Sequence, residues 1–154
     1  MPLILQNVQT APIPTEAELN RWATIAIEDQ TPDTVLLRIT DTTESCSLNQ
    51  RYRGKNSPTN VLSFPYPALP GLPQDQLGDL VICAPVVIAE AAAQQKPLHT
   101  HWAHLVIHGI LHLRGYDHQT DAEALVMETR EQQMLQQLGY PDPYSANTKE
   151  NTTT

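Results

Sequence analysis

Apolar and polar positions along the chain repeat with two different periods, and each change of period marks an element boundary. LILQNVQ at 3–9 is a short apolar-rich run followed by Pro12 and Pro14, which predicts a strand entering a turn. Thr15 and Glu18 then stand at capping-box spacing, where each side chain can bond to the other residue's backbone amide. Leu19, Trp22, Ala23 and Ala26 recur on one helical face until Thr31 and Pro32 interrupt the pattern. TVLLRIT at 34–40 is β-branched and apolar and reads as a second strand, and a short polar helix is expected through CSLNQRYR with Asp41 as its cap. TNVLSFPYP at 59–67 alternates as a strand, but Pro65 and Pro67 lack amide donors and confine it to a sheet edge or a strand end.

Beyond a proline-rich loop to Gln76, LGDLVIC at 77–83 reads as a buried strand, and the alanines of APVVIAEAAAQQ favour helix. Residues 100–113 carry helical periodicity that Gly115 can end. A last helix is expected to open at Thr120 and Glu123, to bury Leu125, Met127, Met134, Leu135 and Leu138, and to stop at Gly139 before Pro141 and Pro143. No repeat recurs, so the expectation is one compact α+β domain over 1–144, a small mixed sheet of about four strands with four to five helices. SANTKENTTT at 145–154 has almost nothing to bury and is expected to be a disordered tail.

Length and composition narrow the function classes. A chain of 154 residues holds one domain and no separate binding module. The opening MPLILQNVQ has no basic region or apolar run of the secretory kind, and other apolar runs fall short of a membrane span, so a soluble cytoplasmic protein with no membrane partner is expected. A net charge of −8 argues against a protein that coats nucleic acid non-specifically. Three of the nine Lys and Arg residues nevertheless cluster at Arg51, Arg53 and Lys55, which allows a small basic patch on an acidic body. Cys46 and Cys83 have no CxxC partner and are read as two buried thiols.

All six histidines lie between 99 and 118. On a helix His101, His104, His108 and His112 share a narrow stripe. His99 and His101 are read as ordinary hydrogen-bonded histidines, and His104 as packing or hydrogen-bonding rather than ligating. His108 and His112, four apart, can converge on one ion, and a turn at Gly115 lets His118 approach it from another direction. Three protein ligands leave a position open, as catalytic sites do, whereas structural zinc sites close four.

In HGILHLRGYDH, residues 108–118, the histidine register coincides with the metzincin peptidase pattern HExxHxxGxxH except that Gly109 replaces the glutamate. Peptide hydrolysis needs that carboxylate to move a proton, so the exception disfavours a peptidase. A helical glycine also costs about 1 kcal/mol relative to alanine, which implies crowding at Gly109, by neighbouring backbone, by substrate or by simple packing.

These residues resemble the YbeY family. The resemblance rests on LNQRYRGKNSPTNVLSFP (48–65), LGDLVI (77–82), HLVIHGILHLRGYDH (104–118) and a closing MxxxExxxLxxLG pattern at Met127, Glu131, Leu135, Leu138 and Gly139. It implies a zincin-like metal helix and a single-strand-specific, metal-dependent endoribonuclease acting in rRNA processing, including 16S rRNA 3′-end maturation, and in ribosome quality control. It further implies His108, His112 and His118 as metal ligands and Arg53 as a functionally required arginine; zinc, one ion per chain, is the expected cofactor, with another transition metal as the alternative because three imidazoles also suit nickel or copper. Single-stranded rRNA, the small ribosomal subunit and its assembly factors are the implied partners.

Residue chemistry fits that implication. An open metal position can polarise a phosphoryl oxygen, and an arginine can hold a phosphate with two parallel bonds. Arg51, Lys55, Asn60 and Phe64 are the expected substrate contacts, with TNVLSFP as the edge strand lining a groove for a single strand; Asn60 in an ordinary turn is the plainer alternative. Phe64 and Tyr66 could stack on bases, Tyr116 is expected to pack, and Asp79 to bond within a turn or to backbone. Asp117 could orient a ligand or act as a base, the orienting role being the commoner. Two other readings stand beside the ribonuclease: a zinc metallopeptidase, and a noncatalytic ribosome-assembly factor with a structural zinc.

Overall fold

The computed structural model describes residues 2–66 and 75–140. The expected 145–154 tail and most of the proline-rich loop lie outside the described residues. Four strands form one sheet in the order β1 (Leu3–Asn7), β2 (Val35–Thr40), β4 (Gly78–Cys83), β3 (Val61–Pro65). The first three run parallel, while β3 pairs antiparallel with β4 and lies at the edge, where Pro65 is tolerated. Among the described residues, five helices, α1 (Glu16–Ile27), α2 (Thr42–Arg53), α3 (Ala84–Ala93), α4 (Leu98–Leu113) and α5 (Asp121–Gln137), complete the α+β fold.

Local chemistry accounts for the helix ends. Both capping boxes form, Thr15 with Glu18 and Thr120 with Glu123, and Asp41 caps α2 by accepting from the Glu44 amide. Helix α4 starts two residues earlier than its apolar pattern, at Leu98 behind Pro97, because a proline at the cap position blocks any further extension.

The sheet has two unequal faces. Val35, Leu37, Ile39, Leu80 and Ile82 are fully buried on the face that α1 and α4 cover, with Trp22 and Trp102 among the largest core side chains. The other face receives α2: Arg38 and Thr40 of β2 bond the Glu44 carboxylate there, and Tyr52 meets Phe64. Helix α5 packs across α4 through Met127, Met134 and Leu135, all buried.

Two expectations fail in the body of the fold. Leu125 is 65 % exposed, because the buried face of α5 runs through Met127, Glu131, Met134, Leu135 and Leu138, and Leu125 falls on the opposite side. Cys83 is a buried thiol, but Cys46 is only partly buried and bonds the Asn56 side chain at 3.5 Å. No helix among the described residues is long and apolar enough to cross a membrane.

Candidate metal centre and groove

Helix α4 carries His104, His108 and His112 at four-residue spacing, one turn apart along its side. Just past its end, Gly115 adopts φ +99°, a left-handed conformation that residues with a Cβ rarely take, and the chain doubles back. His118 is thereby brought over the helix: its ring centroid lies 5.7 Å from that of His108 and 5.0 Å from that of His112, while His108 and His112 are 4.7 Å apart. One ring nitrogen from each lies within 4.8 Å of the other two, a donor set suited to a single transition metal. Burial holds the His112 pKa down, helped by repulsion from His108 and His118, and so favours the neutral ring that can donate a lone pair.

Behind this cluster sits a fully buried carboxylate, Glu131 of α5. Its Oε1 is 2.6 Å from His108 Nδ1 and its Oε2 2.8 Å from His104 Nε2. Burial alone would raise this carboxyl, but the hydrogen bonds from His104 and His108, with their Coulombic attraction, outweigh it and bring the pKa down to about 2. An ionised carboxylate only accepts, so His108 carries its proton on Nδ1 and has Nε2 left for a metal. The trio His104, His108 and Glu131 is also close enough to hold an ion, but its short contacts are hydrogen bonds, and it is the support of the first cluster. His104 thus makes a hydrogen bond to Glu131, the kind of contact expected of it.

His99 and His101 stand apart from the centre. His99 pairs with Glu18 and lies edge-on to Trp22, and His101 bonds Glu90 at 3.0 Å. Asp117 accepts from the His118 amide at 2.7 Å, which fixes the backbone of a candidate ligand.

Gly109 is crowded by side chains of the sheet. A Cβ there would collide with Leu80 Cδ2 and lie 3.3 Å from Val61 Cγ2, so α4 rests directly on the sheet. Ser63 of β3 adds a bond to the Gly109 carbonyl at 3.2 Å.

A groove of about 940 Å³ runs along the free side of β3. From the α4 side it is lined by His108, His112, His118 and Asp117, and from the α2 side by Arg53 and Tyr52. Phe64 and Asn60 line it too, but both amide atoms of Asn60 are committed, the oxygen to the Val61 amide and the nitrogen to Glu90. Arg51 and Lys55 are not among the lining residues: Arg51 lies over the Tyr52 ring at 5.6 Å, and Lys55 is exposed beyond the end of α2. Asp79 lies within β4 rather than in a turn and accepts from the Tyr66 hydroxyl at 2.7 Å, while Tyr116 packs against the core as expected.

Sequence reasoning missed three contributors to the site: Glu131, Tyr52 and Ser63. Glu131 had a signal, a lone carboxylate inside the apolar stripe of α5, where a charge survives only with partners.

The family described as Endoribonuclease YbeY matches residues 5–139. A protein of that name from Methylococcus capsulatus is 54 % identical over 142 residues, covering 92 % of this chain and 94 % of its own length. Another from Alteromonas mediterranea is 51 % identical over 144 residues, covering 92 % and 91 %. The solution structure of TM1509 from Thermotoga maritima superposes with a TM-score of 0.55 at 22 % identity, over 91 % of this chain and 98 % of that one, a likeness of fold. With a family match along most of its length and relatives more than half identical to it, the chain belongs to the YbeY family.

Proposed function

We propose that this protein is a metal-dependent endoribonuclease that cleaves single-stranded rRNA in the cytoplasm during ribosome maturation, with zinc as its ion. The observation that carries the reading is the two-sided groove: three imidazoles reach it from one face of the sheet and Arg53 from the other, with an edge strand between them. His108, His112 and His118 would hold the ion, which when bound supplies Lewis acidity toward a phosphoryl oxygen. Arg53, exposed at the last position of α2, contributes a permanent positive charge and a planar fork that matches a phosphate. Arg53 orients the phosphodiester and neutralises charge on its oxygens, Glu131 holds His108 in the ligating tautomer, and Asp117 holds the backbone of His118.

A peptidase reading fails on space as well as chemistry. The metzincin glutamate would stand at Gly109, where even a Cβ runs into Leu80. Association with the small ribosomal subunit and its assembly factors belongs to the same proposal, because an acidic body with one arginine in its groove holds RNA weakly unaided. Single-turnover cleavage of an rRNA fragment by wild type and His112→Ala, with analysis of product ends, tests the reading. Cleavage by wild type alone supports it; equal cleavage by both proteins, or by neither, returns the chain to a noncatalytic role.

A further inference from the structure

The aromatic residues on the α2 side of the groove take no part in the chemistry above. Tyr52, in the last turn of α2, is 58 % exposed, although Leu62 on the same face of the sheet is buried to 4 %. A ring whose purpose was packing would be covered as Leu62 is. Tyr52 instead meets Phe64 edge to face, with centroids 5.1 Å apart and planes at 66°, and leaves most of its surface open where it lines the groove. Arg51 lies against the ring and Arg53 follows it in sequence, so positive charge flanks the open aromatic surface. Tyr66 is not among the residues that line the groove.

We propose that Tyr52, braced by Phe64, forms a nucleobase subsite on which one base of a single-stranded RNA stacks while an adjoining phosphate meets Arg53. The proposal rests on the endoribonuclease reading and adds to it a contact that tolerates any sequence, because every base has a π face. It also supplies a physical basis for preferring single strands. In a duplex each base is already stacked between neighbours, and freeing one costs energy that an unpaired strand does not spend.

The test is single-turnover cleavage of a single-stranded RNA by the metal-loaded enzyme in excess, comparing wild type, Tyr52→Leu and Tyr52→Trp. A parallel series of RNAs carries an abasic nucleotide at each position in turn. Tyr52→Leu should raise the enzyme concentration needed for half-maximal rate by roughly 5- to 100-fold, more than it lowers the maximal rate, and Tyr52→Trp should restore it. One abasic position should weaken wild type by a similar factor and abolish the difference between wild type and Tyr52→Leu. Melting temperatures should coincide, because the ring is exposed. Unchanged half-saturation in Tyr52→Leu, or a penalty of equal size with every abasic RNA, would overturn the subsite while leaving the ribonuclease intact. Failure of wild type to cleave more than His112→Ala would overturn the ribonuclease and the subsite together.

Discussion

Glu131 accepts from His108 across 2.6 Å through a carboxylate that has no exposed surface at all. That contact decides which nitrogen of His108 is free. Glu131→Gln keeps the shape but places an amide NH₂ against one of the two histidines. Where it faces His108, Nδ1 becomes an acceptor and the proton moves to Nε2, the atom a metal needs. Metal affinity should fall about 10- to 100-fold, read by competition with a chromophoric chelator. The metal-free protein should also lose roughly 1 to 2 kcal/mol of stability, as a charge-assisted hydrogen bond becomes a neutral one. Unaltered metal affinity would show that the carboxylate only fills space.

The purified protein should contain about one transition-metal ion per chain, as one three-nitrogen site would bind. Elemental analysis of wild type beside the His108→Ala/His112→Ala double variant checks this. Equal metal in the two would remove the site.

Gly109→Ala should destabilise the fold. The substitution gains about 1 kcal/mol in helix propensity, but overpacking a core typically costs about 1 to 3 kcal/mol, and Leu80 is wholly buried with nowhere to retreat. The expected outcome is a lower melting temperature together with weaker metal binding, as α4 is pushed off the sheet. A rise in melting temperature would mean that Leu80 can rotate away.

Arg53→Ala should fold, hold its metal and lose roughly 30- to 1000-fold in single-turnover cleavage, the loss expected for one charged transition-state contact. Arg53→Lys should recover only part, because a point charge cannot reproduce the planar fork. Cleavage at the wild-type rate by Arg53→Ala would refute the phosphate role.

Glu28 ties three helices together: it follows α1, receives Arg114 from the end of α4 at 2.9 Å, and pairs with Arg130 of α5. Hydrogen bonds from Arg130 and then Arg114 hold its carboxyl below the ordinary glutamate value against the opposing effect of burial. A depressed folded-state pKa stabilises above the unfolded value, and the benefit is lost as pH falls through the folded one. The Glu28 side chain is 34 % exposed, so solvent screens the contribution. Glu28→Gln should lower the melting temperature by about 2 to 5 °C at neutral pH, and the gap to wild type should close as pH falls below the ordinary glutamate value. A gap independent of pH would assign it to packing.

The elements were legible because their periods and caps agree: the Thr15–Glu18 and Thr120–Glu123 boxes both form, and the prolines of TNVLSFP do mark an edge strand. The three-histidine cluster was legible because its members are local, two on one helix and one past a glycine. What crosses the fold was not. Leu80 against Gly109, Ser63 on its carbonyl and Glu131 behind His108 are separated in sequence by 23 residues or more, and no local period reports them. Of the charges clustered at Arg51, Arg53 and Lys55, only Arg53 lines the groove, because the cluster turns through a helix end and its cap.

The three imidazoles fall within residues 108–118, whereas the carboxylate that bonds His108 arrives with the next helix. Closing so short a segment around an ion sacrifices less chain entropy than a longer loop would, since that loss rises with length. During synthesis the complete donor set thus leaves the ribosome before Glu131 does. An ion bound at that stage would meet untethered rings, and docking of α5 would then fix the His108 ring through Glu131.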